Sequence, residues 1–471
     1  MSFTTVPVIV AGPSYPDRSR PLSTQTTRNF YHQVVDSGKD NYVLKSFPGL
    51  TLIGSVAAGA DRGLTRMGEF AFRVVGTGLY QVDQAGNHVS KGVVPGSGRC
   101  IFANDGINLF ISTERLVYHY NGATVTQVTD SNIDGAKSVA FFNNRFAYTH
   151  DTLTVVSTVG DGSTASGLDS IGAESLPDSL VRDYWFDQVL YRFGERSVES
   201  WYDAGTGRPP IARIEGQIFS VGCAAMHSII NSKDALYWLG DDRRVYRTTG
   251  GVEAVVSTDA ISYEMEQYTV VADCFAAEFV IEGQQFIAFT FPTEDKTWVL
   301  KEGLGANGWM ELSSGTDGGR YQANDMLSIY GKTFVSDVDS GQLYTLDLNN
   351  YTLNGDAMQR VRVMSAISGN NVSSPGKRLQ MSRFELILDT GVGAVAGQGS
   401  DPQIMLEASY DGGKSYAPGT WMRIGRLGET NIRSEWFSLK TFYTLTIRLT
   451  ITDPVECSIY AAAIDLRRAG R

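Results

Sequence analysis

The chain has 471 residues, room for about three domain-sized units or one large repeat domain with an appendage. At 42% hydrophobic and 19% charged residues it excludes both a disordered polymer and a membrane bundle. Forty basic against 51 acidic residues, a formal net charge of −11, exclude a generally basic surface that wraps nucleic-acid phosphates. Fifty Gly against 14 Pro, with 22 Phe, 22 Tyr and 7 Trp, point to an all-β protein of many short strands and turns.

The first 45 or so residues are polar, carry Pro13, Pro16 and Pro21, and read as an extended N-terminal arm outside any core. They have no basic segment ahead of an apolar run, so no Sec-type leader is expected. From Phe47-Pro48-Gly49 onward one pattern recurs: an apolar strand, a polar turn, and a second strand that usually carries Tyr or Trp. Copies start at Gly68, Gly106, Asn143, Asp187, Lys233, Gly283 and Gly331, separated by 38, 37, 44, 46, 50 and 48 residues. That spacing matches a four-stranded propeller blade of about 40–50 residues. The aromatics of the second strand are Tyr80, Tyr118, Tyr202, Tyr246, Trp298 and Tyr344; the third copy has Val155 and Val156 there instead. Residues 46–358 are therefore expected to form a β-propeller of about seven blades. Six blades with an irregular sheet, or two open half-domains, are the alternatives. A short helical turn is expected near Ile261 to Gln267.

Past residue 358 the rhythm changes to alternation with period two. It runs through residues 360–367, 383–389, 403–411, 421–426, 435–440, 443–451 and 457–467. Strands of this kind with turn clusters between them predict a C-terminal β-sandwich over 359–471. Charge divides along the same line: 26 basic and 41 acidic residues up to 358, then 14 basic and 10 acidic.

Chemistry-bearing motifs are scarce. Gly303 to Gly308 fits GxGxxG, but strand-like Trp309-Met-Glu-Leu follows where a phosphate site needs a helix. His32, His88, His119, His150 and His227 show no metal-ligand spacing, and Cys100, Cys223, Cys274 and Cys457 form no CxxC pair. No GxSxG elbow is present. Asp241-Asp242 and Asp183 near Trp185 could serve a glycosidase only if folding paired them across a cleft, with Trp201, Tyr202 and Trp309 as sugar platforms. Ser409 to Tyr416 resembles an Asp-box, a hairpin element without chemistry of its own. No catalytic, cofactor or metal residue is assigned, and no cofactor is expected.

Asn29-Phe-Tyr-His-Gln-Val-Val-Asp, then Tyr42-Val-Leu-Lys-Ser46-Phe47-Pro48-Gly49, resemble the N-terminal signature of the packaged-DNA stabilisation proteins, tail hubs of short-tailed bacteriophages. The C-terminal part is similar too, with Ile424-Gly425-Arg426-Leu427-Gly428 and Thr452-Asp453-Pro454-Val455. The resemblance implies a structural virion protein of the phage tail without enzymatic activity. It further implies a homo-hexameric ring below the portal and head-to-tail adaptor, assembled in the host bacterial cytoplasm. Such a ring extends the DNA channel without sequence-specific binding, helps retain packaged DNA, and carries the tail needle, tip or tailspikes. The absence of an apolar run near 18 residues agrees with a virion component that holds no membrane helix. The alternative from the residues alone is a glycan-binding or glycoside-hydrolysing propeller.

Overall fold

The structure, a computed structural model, describes residues 3–19, 23–34, 42–57, 59–172, 178–437 and 440–469. Seven four-stranded antiparallel sheets follow one another. Blades 1 to 5 span 61–93, 101–127, 138–172, 180–219 and 230–255, and blade 6 spans 275–311. Blade 7 takes three strands from 323–347 and its outer strand, Gly49–Ser55, from the other end of the propeller sequence. Leu50 pairs with Leu346 and Leu52 with Tyr344, closing the ring. Gly49 opens this strand with its α-carbon against the Thr352 backbone, where no side chain fits.

The sequence repeat coincides with the second and third strands of each blade, and burial explains why. Second strands such as Leu109–Thr113 and Ala235–Leu239 are buried along their whole length, so they read as apolar runs. Outer strands such as His88–Val93 and Val252–Val255 are largely exposed and carry no such signal. Tight turns join the first strand to the second. Asn143-Asn144, Asp187-Gln188, Glu282-Gly283 and Tyr330-Gly331 all have positive φ at both positions, the geometry that matches strand twist in two-residue hairpins.

All seven alternating C-terminal segments contain strands, from Arg360–Val363 to Ser458–Arg468. Two sheets face each other across a core that includes Phe384, Trp436, Ile447 and Ile464. The expected helical turn is helix α1, Asp259–Glu266, capped by Thr258, whose hydroxyl accepts from Ile261 N.

The N-terminal residues do not form an arm. Thr4–Val8 pairs with Ser458–Arg468, and Phe30–Val34 with Tyr42–Ser46 extends the same sandwich sheet. Val10, Phe30 and Leu44 lie in the sandwich core. The segment looks polar because its Ser and Thr residues satisfy backbone pairing and one buried cation. Thr24–Arg28 runs between blade 6 (Trp309–Glu311) and the sandwich strand Arg360–Val363, fusing the two into one eleven-stranded sheet. Beneath it the wholly buried Arg362 donates to the carbonyls of Val10, Gly12 and Pro13, to Thr27 Oγ1 and to Gln25 Oε1.

The motif residues sit at this joint. Asn29, fully buried with φ 55°, accepts from Ser313 N and donates to the Ser313 and Gln359 carbonyls. Phe47 N donates to Asn29 O, and the Phe47 ring packs edge-on against Phe279 and Tyr321, 5.9 Å from each. Ser46 Oγ bonds the backbone of Cys457 in the sandwich. Ser46-Phe47-Pro48-Gly49 is thus the passage from sandwich to propeller.

Replacing Arg362 by Met strands these acceptors and should cost on the order of 3 kcal/mol. Denaturant unfolding should then split into separate propeller and sandwich transitions, whereas a single transition of unchanged midpoint would contradict the clamp.

Candidate functional site

The carboxylates and aromatics that could have formed a sugar site are spent on the fold. Asp183 is buried against Arg192, 3.4 Å away, and accepts from Thr149 and Thr154 at 2.8 and 2.5 Å. Asp241 accepts from Gly222 N, and Asp242 from the Tyr246 hydroxyl. Trp201 and Trp309 are core residues, the former donating to Glu199; Tyr202 alone of the three platforms is exposed. Gly305–Gly308 is a 3-10 turn leading into the strand Trp309–Glu311. Among the described residues no three His, Cys, Asp or Glu side chains group around a metal position, and the four cysteines are buried and unpaired.

The Asp-box-like stretch forms the expected tight turn. Asp411 Oδ1 accepts from Lys414 N, Ser415 N and Ser409 Oγ, and the Ser415 hydroxyl bond leads the contacts that hold its carboxyl well below the usual range. Gly413, at φ 81°, lies with its α-carbon against Thr24, where a Cβ would come within 2.8 Å of the hydroxyl. Tyr416 packs beneath the Arg448 guanidinium, 4.0 Å away. This turn presses the N-terminal strand onto the sandwich.

The surfaces are more informative. In six blades the turn between the second and third strands carries an exposed carboxylate: Glu114, Asp151, Glu195, Asp242, Asp295 and Asp339. Antiparallel topology puts these turns at one end of the propeller, forming a rim that stays net acidic although Arg115 and Lys137 pair with Asp151 and Arg244 with Asp242. Across the sandwich, the outward face of the Leu379–Leu388 sheet carries two separate exposed apolar side chains, Ile387, 47% exposed and opposite Ala461, and Phe437, 62% exposed and opposite Arg383. Beside them Arg383 pairs with Glu385, Glu435 and Asp465. Exposed apolar side chains interleaved with matched charges suit a protein contact surface. Neither patch was legible in the sequence, because each is assembled from turns or strands far apart along the chain.

The propeller axis is closed where the innermost strands begin. Arg99, leading into blade 2, donates to Asn324 of blade 7 at 2.7 and 3.1 Å and lies 3.9 Å over Phe275 of blade 6. Met226, leading into blade 5, packs against the core of blades 2 and 3. Behind Arg99, Arg73 and Asp61 of blade 1 form a buried pair at 2.8 Å, and Asn324 and Ser336 of blade 7 donate to Asp61, locking the two blades.

Comparison with known proteins places this architecture. A family model described as bacteriophage P22 Gp10, beta-propeller, matches residues 4–351, and a second, the P22 Gp10 beta-sandwich, matches 369–467. The chain belongs to the bacteriophage P22 Gp10 family. Gp10-family membership makes it a phage structural protein of the packaged-DNA stabilisation group. A search of curated proteins finds no match. Among solved structures the Gp10-like chain is similar to the WD40 propeller domain of Doa1 (10% identity, TM-score 0.41, covering 64% of this chain and 98% of that one). It is also similar to the designed Ika8 protein (9%, 0.40, 69% and 100%) and to BamB from Moraxella catarrhalis (11%, 0.39, 73% and 96%).

The blade 7–blade 1 seam carries a pH signature. Asp325 accepts from Leu64 N and Met326 N, and burial, opposed by Arg99, pushes its carboxyl up to about 6. The folded protein then holds a proton that the unfolded chain has released between about pH 4 and 6. Its contribution to stability is therefore present below pH 4 and lost as pH rises through 6. Asp325→Asn should remove this dependence, changing the wild-type-to-variant stability difference by on the order of 3 kcal/mol between pH 4 and 7. Parallel pH profiles of the two proteins in urea melts would refute the assignment.

Proposed function

We propose that this protein is a tail hub of a short-tailed phage. In this reading it assembles as a ring, six copies by resemblance, below the portal and adaptor, where it extends the DNA channel and helps retain packaged DNA. The observation that carries this reading is the family match over propeller and sandwich in order. The closed axis adds a constraint: DNA runs between copies of the chain, not through a propeller. A ring of this kind closes by rotation through heterologous contacts. Ile387, Phe437 and the positively balanced sandwich supply one side, and the acidic propeller the other. Carboxylate-rich turns facing the lumen would keep phosphates from adhering during ejection. The role is mechanical and needs no catalysis. Needle, tip or tailspike proteins are the partners at the far side, and the protein resides in the virion tail after assembly in the host cytoplasm.

Native mass measurement tests this. The purified chain should form a ring-sized complex on portal and adaptor rings from neighbouring genes, and Phe437→Arg with Ile387→Glu should weaken that assembly at least tenfold while leaving the monomer folded. A chain that ignores both rings yet binds on a glycan array would overturn the reading.

A further inference from the structure

Of the seven tryptophans only Trp421 is exposed, at 49%. It stands on the sandwich strand Thr420–Arg423, directly opposite Met405, and Met405 is opposite Thr450. Thr450 in turn faces Val361, and Val361 faces Arg28. One row of side chains therefore crosses five strands of the joint sheet, from the N-terminal strand to the sandwich edge. Alternation along each strand fixes its side of the sheet. Leu406, Leu449 and Ile451 point into the sandwich core and Arg362 into its clamp, so the row lies on the opposite, outward face.

That face is hollowed into a cavity of 430 Å³ at the seam between propeller and sandwich, within the roughly 300–1,000 Å³ of small-molecule sites. Val361, Val363, Met405 and Thr450 form its floor. The Asp-box-like turn gives one wall through Gly413 and Tyr416, and helix α1 another through Glu264. Its cations are already matched. Arg28 donates to Glu311 through Nε and Nη2 at 3.0 and 2.9 Å, and Arg448 meets Glu407 as a fork at 2.6 and 2.7 Å with its face on Tyr416. With both guanidiniums neutralised, and with Asp17, Glu264 and Glu407 around the same space, the cavity disfavours a phosphate. The groups left open are neutral. Among the described residues nothing bonds the hydroxyl of Thr450, a residue only 4% exposed, or the side-chain amide of Gln359. Neutral donors and acceptors beside an apolar floor and an exposed indole complement a sugar, whose hydroxyls hydrogen-bond at its rim while its C–H faces lie on apolar or aromatic surface.

We propose that this cavity binds a neutral saccharide of one or two hexose units. Its C–H face lies over Met405 and Val363, with Trp421 as the platform at the mouth. Its hydroxyls bond Thr450, Gln359 and the outward atoms of the Arg448–Glu407 pair. The site is complete within one chain and does not depend on ring formation. It is also separate from Ile387 and Phe437, which stand on the other sheet of the sandwich.

Saturation-transfer NMR of the full chain with glucose, galactose, mannose, rhamnose, N-acetylglucosamine and their disaccharides tests this, beside tryptophan fluorescence. Wild type should transfer saturation to the ring C–H protons of at least one of these sugars, and that sugar should move the emission of the exposed Trp421 to shorter wavelength. Trp421→Ala, a change at the surface, should melt with wild type, bind that sugar at least tenfold more weakly and lose the emission shift. Thr450→Val keeps the shape, removes the hydroxyl and should weaken binding at least threefold; where it fails to fold, Trp421→Ala decides. No transfer from wild type to any sugar of the panel, unchanged affinity in either folded variant, or equal transfer to a thymidine dinucleotide would each overturn the proposal. Assembly on portal and adaptor rings is read separately by native mass, so neither result decides the other.

Discussion

The strand Thr24–Arg28 is hydrogen-bonded to the propeller on one edge and to the sandwich on the other, and the rest of the architecture hangs on that double pairing. With only five residues it converts two domains into one continuous sheet. Asn29 then turns the chain into the sandwich, and Phe47 returns it to the core between blades 6 and 7. Arg362 holds the underside. Its guanidinium bonds carbonyls and neutral side-chain oxygens, so this clamp depends on no acid that pH could neutralise, whereas on the other edge of the strand Arg28 pairs with Glu311 at 2.9 Å.

This joint gives the short segments around Asn29 and Phe47 their structural role. Asn29 is required by its left-handed backbone and its three bonds, and Gly49 by the absence of room for a side chain. Phe47 fills space between two blades. Each acts at the point where domains meet, so each constrains more of the molecule than a residue in the middle of a blade, where one apolar residue can replace another.

Much of the fold was legible because burial writes periodicity into the chain. The seven hairpins announced themselves through second strands buried on both faces followed by third strands that mostly carry an aromatic, and the sandwich through one-sided alternation. The N-terminal strands were misread for the complementary reason. Apart from pairings within the segment itself, their partners lie 283 residues away or more, and Thr and Ser that pair through backbone, or that meet one buried guanidinium, look like loop. Acidic rim, the exposed Ile387 and Phe437, and axial plug were equally silent. Their members, such as Glu114 and Asp339 or Arg99 and Phe275, share no local pattern and become neighbours only once the ring closes.

Ring closure by Gly49–Ser55 also has a consequence for synthesis. This strand leaves the ribosome early, yet its partner Gln342–Asp347 follows about 290 residues later. At about 5–20 residues per second, the interval is on the order of 15–60 s. Throughout that time a nascent chain carries a bare strand edge of the kind that pairs with whatever edge it meets. Translation speed, and the crowding of identical nascent chains on one message, therefore bear on the yield of closed rings as directly as the stability of the finished molecule.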